Sequence, residues 1–399
     1  MSRKKVLFVV DSLKIGGIQR ALINLLNTLS TVDQLELYLF CFKFNQVDKS
    51  LIPKNIKVLP SSKLLHNINC SLGETLKTGP SCFILKTIAV IMCKIFGANF
   101  VYKLVFSTIK VPIKFDIAIS YSNNLNYRST YFGCNKFVLE KVLSKNKIAY
   151  LHVDYEKFGL DNRVNAEEYC KFDKIVCVSH AVRSVFLNYL PYLENKTCVI
   201  YNIINPSQII QKSRLASKFK NTGSKCLKLV TVGRFDENKG IMKTIEVARI
   251  LRDKGISFEW NLIGTGVLFN QVQTSIEKLK LSSNLKVLGE LENPYPYIAS
   301  ADLLVSLSIT ESFGLAIQEA IVLGTPVIAL NYPALNEIVD NNKNAIVFDQ
   351  YDPLIIAQKI LSLYYQPQLL TKLKKNCYSK ILDKTSCEQI LHLFKVIVS

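Results

Sequence analysis

The sequence predicts an α/β protein made of two doubly wound, Rossmann-like domains. Three observations carry that reading. Short apolar runs alternate with longer amphipathic stretches, the βαβ rhythm of parallel sheets. The rhythm stops at a polar stretch, residues 206–225, and restarts after it. The chain has 399 residues, more than one hydrophobic core usually organises.

In the first half, strands are expected at residues 6–10, 35–42, 56–60, 116–121, 147–152, 175–179 and 198–202. They are apolar almost throughout rather than alternating, which implies helices on both faces of the sheet. A helix over residues 21–29 follows the turn carrying Gly16 and Gly17. Residues 64–112 break the rhythm, with Lys77, Lys86, Lys94, Lys103 and Lys110 set among Phe, Ile, Val and Tyr. They are expected to form two amphipathic helices. These either lie on an anionic membrane surface or cover the sheet with their lysines reaching into water. In the second half, strands are expected at residues 227–233, 259–264, 284–289, 302–308, 326–330 and 345–349, with helices from Ile241 and from Phe313-Gly314. Thr385 and Glu388 stand in a capping-box pattern that opens a last helix to Ser399. The expected domains are residues 1–205 and 226–378, joined by a linker at 206–225 and followed by a helix in 379–399.

Composition excludes several classes. A chain that is 49% hydrophobic and 20% charged is too apolar for disorder. Eleven cysteines without a Cys-x-x-Cys pair, and only four histidines, argue against a zinc framework or a disulfide scaffold and for a reducing compartment. The N-terminus reads as a first strand rather than a signal peptide, and no run reaches the ~18 apolar residues of a membrane span. The net charge is +19, of which residues 1–110 supply 15 basic against 5 acidic side chains. That bias points to an anionic partner, either an acidic membrane surface or nucleic acid.

Chemistry is expected beyond the carboxyl ends of the strands, where open α/β sheets bind ligands. The segment 306–319 is the most informative. Glu311 lies on the loop after a strand, a helix opens at Phe313, Gly314 and Leu315, and Glu319 stands in its second turn. Free N–H groups and the positive end of a helix dipole there make a phosphate site flanked by two carboxylates. That combination suits a ligand carrying both hydroxyls and phosphate. Arg234 and Lys239 frame the turn after the first strand of the second half and suit a diphosphate. Gly264 and Gly266 form the turn after the next strand. Gly16 and Gly17, after the first strand of the chain, allow positive φ and close approach of another molecule. His152 closes a first-half strand.

The Glu311-x7-Glu319 spacing resembles the signature of the retaining glycosyltransferase family 4, the group 1 glycosyl transferases of bacterial surface polysaccharide synthesis. The Gly233-Arg234 to Lys239-Gly240 frame, the Gly16-Gly17-x-x-Arg20 loop, the Gly264-x-Gly266 turn and His152 are similar to further elements of that family. The resemblance implies the GT-B fold, with two Rossmann-like domains facing each other across a cleft. It implies that Arg234 and Lys239 neutralise the leaving diphosphate, helped by the Gly314 and Leu315 amides. Glu319 would accept hydrogen bonds from the ribose, Glu311 would bind donor-sugar hydroxyls, and His152 would contact that sugar. Gly16, Gly17, Gly264 and Gly266 would line the donor. No metal and no cofactor are implied. The nucleotide sugar, a UDP-sugar, is a substrate, and the acceptor is a glycan or polyprenyl-linked glycan. The expected place is the cytoplasm, peripheral on the inner membrane through residues 64–112. Two other readings stay open. A nucleotide-sugar 2-epimerase shares the architecture. A basic nucleic-acid-binding protein explains the charge, although no nucleic-acid module is recognisable and no such partner is expected.

Overall fold

The computed structural model describes residues 3–13, 16–43, 51–123, 130, 133–215, 219, 226–377 and 391–392. The chain divides into two compact units, the first running to Ile204 and the second from Asn205 to Asp383. The expected C-terminal helix lies outside the described residues apart from a short stretch at 391–392.

The first unit is a seven-stranded sheet in the order β3-β2-β1-β4-β5-β6-β7. Its strands are β1 (Lys4–Val10), β2 (Leu35–Cys41), β3 (Lys57–Leu59), β4 (Phe115–Ser120), β5 (Ser144–Leu151), β6 (Lys174–Cys177) and β7 (Thr197–Val199). Every pairing is parallel. β1 is central, and Val6 to Val10 are wholly buried, as a strand covered on both faces must be. The sheet reverses its winding between β1 and β4. There Ser122 Oγ donates to Asp11 Oδ1 at 2.6 Å and the Asp11 amide donates back to Ser122 Oγ at 3.1 Å.

Residues 64–112 form four helices rather than the two expected: Lys63–Asn69, Leu72–Thr78, Pro80–Phe96 and Ala98–Ser107. The breaks have local causes. Ser71 caps the second helix in a reciprocal capping box with Glu74. Gly79 (φ 144°) and Gly97 (φ 80°) then separate the others in conformations that a side chain disfavours. Lys86, expected at the surface, is 2% exposed. Its Nζ donates to the Ile68 carbonyl and to Thr130 Oγ1, each at 2.6 Å. Burial, and next the charge of Lys43, push its pKa down to about 8. Among the described residues no helix is long and apolar enough to cross a membrane.

The second unit is a six-stranded parallel sheet in the order β10-β9-β8-β11-β12-β13. These strands are β8 (Leu227–Val232), β9 (Phe258–Ile263), β10 (Leu285–Gly289), β11 (Leu303–Ser306), β12 (Val327–Leu330) and β13 (Ala345–Phe348). Its core holds Trp260, whose Nε1 donates to Thr231 Oγ1 at 3.0 Å, and Thr231 in turn donates to the Val305 carbonyl at 2.8 Å. One polar chain therefore pins β9, β8 and β11 in register. Residues 206–213, placed in the expected linker, are a helix capped by the Asn205 side chain, with Ile209 buried in the second unit. The winding of this sheet reverses between β8 and β11, which is where such sheets open a ligand crevice.

Candidate functional site

In the second unit, the loop after β8 is stitched to its neighbours by backbone hydrogen bonds. The Gly233 amide reaches the Ile263 carbonyl at 3.0 Å and the Phe235 amide reaches Thr265 at 2.9 Å. On the other side, the Ile309 amide donates to Asn238 at 2.8 Å. Gly264 (φ 147°) makes this contact feasible, because a Cβ there would sit 1.8 Å from the Gly233 carbonyl oxygen. A Cβ on Gly266 would likewise lie 2.4 Å from the Phe235 oxygen. Both glycines thus hold the Arg234 loop close, a packing duty alongside any contact with ligand.

Arg234 and Lys239 do not meet on one another's partner in the free protein. Arg234 projects into water, with its side chain 73% exposed and Nε 3.5 Å from Asp236 Oδ2. Lys239 Nζ donates instead to Glu311 Oε1, which also accepts from Ser308 Oγ at 3.1 Å. Lys239 and Glu311, 72 positions apart, are therefore joined directly across the β8–β11 switch. Asp236 fixes the turn by accepting from the Lys239 amide at 3.0 Å.

The helix Leu315–Val322 opens just beyond. Its first bonds run from the Ile317 and Gln318 amides to the Gly314 carbonyl, at 3.0 and 3.1 Å, so the amides ahead of them face out of the helix end. Gly314 is left-handed (φ 83°), and a Cβ there would lie 2.3 Å from the Tyr332 hydroxyl. Phe313 is buried, and Leu315 is half-buried. Glu319 is 1% exposed, and its Oε1 accepts from the Tyr295 hydroxyl at 3.1 Å.

Sequence reasoning missed two tyrosines here. Tyr295 orients Glu319 from another helix. Tyr332 is buried with a hydroxyl that has no hydrogen-bond partner among the described residues, and burial, then the Glu311 charge, keep it protonated. Neither carries a local signal, since each becomes a neighbour only through the β11–β12 side of the sheet.

In the first unit, Gly16 and Gly17 cap and begin the helix Gly17–Leu29. Neither takes the positive φ expected of it. Gly16 is extended at −174°, a conformation open to any residue. His152 follows β5 with its amide bound to Asn123 Oδ1 at 2.7 Å, and its ring packs against Tyr121 and Tyr150, centroids 4.5 and 5.5 Å away. It is 3% exposed. Burial pushes its pKa from 6.5 down to about 3, against a weak opposite pull from the Tyr121 backbone. The imidazole is therefore neutral at working pH rather than a charge.

A cavity of about 280 Å³ lies elsewhere in the first unit, between the helices Cys134–Lys141 and Arg163–Cys170, and none of the expected site residues lines it. On its wall Lys136 and Glu140 pair at 2.5 Å, and Lys147 Nζ donates to the Leu139 carbonyl at 2.6 Å. Among the described residues no three His, Cys, Asp or Glu side chains are grouped to hold a metal ion.

Residues 213–380 match the family Glycosyl transferases group 1. The chain is 28% identical over 251 residues to the uncharacterized glycosyltransferase MJ1178 of Methanocaldococcus jannaschii, spanning 61% of this chain and 66% of that one. It is also 28% identical over 162 residues to the amylovoran biosynthesis glycosyltransferase AmsK of Erwinia amylovora, 39% of this chain and 40% of that one. The matched part thus falls short of two thirds of either relative. Among solved structures, HepE of Anabaena, crystallised with UDP and glucose, superposes with a TM-score of 0.69 at 18% identity, over 98% of this chain and 100% of that one.

Proposed function

We propose, from the match of residues 213–380 to the group 1 glycosyl transferases and from the GT-B fold, that this chain is a retaining, metal-independent glycosyltransferase of family 4. It would move a sugar from a nucleoside diphosphate donor, a UDP-sugar, to a glycan or polyprenyl-linked glycan. The setting is cell-surface polysaccharide synthesis at the cytoplasmic face of the inner membrane. The second unit takes the nucleotide sugar and the first takes the acceptor.

One observation carries the reading. The Arg234–Lys239 loop, Glu311 and the open end of the helix Leu315–Val322 sit together at the β8–β11 switch. A diphosphate entering there gains a guanidinium fork, an ammonium and helix-end amides, and it competes with Glu311 for Lys239. Glu311, released from that pair, accepts from hydroxyls of the donor sugar. Glu319, already oriented by Tyr295, accepts from the ribose. The bond from the anomeric carbon to the diphosphate oxygen breaks while the acceptor oxygen attacks from the same face. The departing phosphate takes the acceptor proton, so no side-chain base is needed. Arg234, Lys239 and the amides hold the developing charge. Neutral His152 contributes by hydrogen bonding alone.

Thermal stabilisation by UDP, GDP, dTDP and CMP tests this, with Arg234→Ala and Glu319→Gln run beside the wild type. Ligand at 100 times its dissociation constant stabilises by about 2.7 kcal/mol. A response to UDP that both variants lose supports the donor site. A chain indifferent to every nucleotide refutes it.

A further inference from the structure

The helix Pro80–Phe96 is built inside out. Its buried charge is Lys86, held by Ile68 and Thr130. On the opposite side Ile84, Ile88, Ile91 and Ile95 are 49 to 66% exposed. Their spacing puts all four on one face of the helix, a stripe roughly 17 Å long at 1.5 Å per residue. The stripe continues across Gly97. Phe96 and Phe100 lie with ring centroids 5.2 Å apart, and Leu104 extends the surface along the next helix. A water-facing helix in a globular protein has the reverse polarity, and a contiguous apolar surface of this kind marks an interaction site.

What covers it is indicated by charge. Lys94 and Lys103, on the two helices of the stripe, and Lys77 and Lys110, on the segments flanking them, are exposed. The one acid between residues 64 and 114 is Glu74, which is occupied by its capping box and lies 3.7 Å from Lys43. We propose that this face docks on an anionic lipid bilayer. The helix lies in the membrane plane, with the isoleucines and phenylalanines among the acyl chains and the lysines at the phosphates. A second copy of the chain fits less well, because a two-fold contact would set the lysine rims against each other on molecules of charge +19. The inference deepens the acceptor reading above by giving a lipid-linked acceptor a defined approach. Its test uses neither donor nor acceptor, so its failure leaves that reading standing.

The full chain is sedimented with vesicles of phosphatidylcholine alone or mixed with phosphatidylglycerol. Binding is expected to the mixed vesicles and to weaken with salt. Ile88→Ser with Ile91→Ser, both at exposed positions, should weaken it about tenfold per side chain. Lys94→Gln with Lys103→Gln should weaken it about fivefold per lysine. The proposal is overturned if mixed vesicles are not bound, or if binding survives the isoleucine replacements. It is also overturned if lipid-free chain dimerises through those isoleucines in sedimentation velocity, which would assign the face to a second copy.

Discussion

Replacing His152 by phenylalanine should remove a specific sensitivity to acid. The folded ring titrates at about 3 and the unfolded one at 6.5. Between those values the unfolded chain holds a proton that the folded chain lacks, so unfolding takes up a proton and acid favours it. Stability is therefore complete above pH 6.5 and is lost as pH falls toward 3. Integrating the linkage from pH 7.5 to pH 5 gives a loss of about 2 kcal/mol from this one ring. The figure is set by the unfolded value, because at pH 5 the folded ring is neutral wherever below 4 it titrates. Phenylalanine fills the same space between Tyr121 and Tyr150 and carries no proton. Urea unfolding at the two pH values should show the wild type losing about 2 kcal/mol more than His152→Phe. The probe is far-UV circular dichroism, since the one tryptophan, Trp260, reports on the second unit. Equal losses in the two proteins would refute the buried, neutral imidazole. The ring would then have to be charged or solvated in the folded state, and its hydrogen-bonding role would fall with it.

Two further outcomes follow from the second unit. Glu311→Gln removes the carboxylate that holds Lys239, so UDP should bind as tightly as before or tighter, while transfer falls by about a hundredfold or more. Calorimetry beside a transfer assay checks this, and weakened UDP binding would contradict it. Gly264→Ala forces a Cβ against the Gly233 carbonyl at a positive φ, and should destabilise the second unit by about 2–4 kcal/mol in Trp260-monitored unfolding. A change below about 0.5 kcal/mol would mean the two loops are not clamped as described.

The strands were legible because a strand buried on both faces announces itself as an unbroken apolar run, as at Val6 to Val10 and Leu303 to Ser306. The helices of residues 64–112 were less so. Their apolar and basic content is continuous, whereas their breaks depend on Gly79, Gly97 and the Ser71–Glu74 box. The burial of Lys86 could not be read locally, since Ile68 and Thr130 supply its partners from 18 and 44 positions away. Glycine marks freedom, not its use, and this separates Gly264 and Gly314 from Gly16. The carboxylates of the site stood out through spacing along one helix and its loop. Tyr295, Tyr332 and the Lys239–Glu311 pair arise only when parallel strands bring distant loops to one end of a sheet.

The central position of β1 bears on how the chain is made. Its neighbour β4 lies more than a hundred residues later, with Val6 opposite Ile117 and the Lys5 amide bound to Asp116 at 2.9 Å. During synthesis at roughly 5–20 residues per second, β1 waits several seconds with one edge unpaired. In that interval the helices from Lys63 to Ser107 emerge with no finished sheet beneath them, and Thr130, the hydroxyl that receives Lys86, follows later still. A nascent chain at that stage shows Lys86 and the isoleucines of one helix together, before the finished sheet takes Lys86 inward. Until β4 is made, both faces of that helix stay uncovered, which makes this interval the one in which the growing chain is most open to chaperone capture.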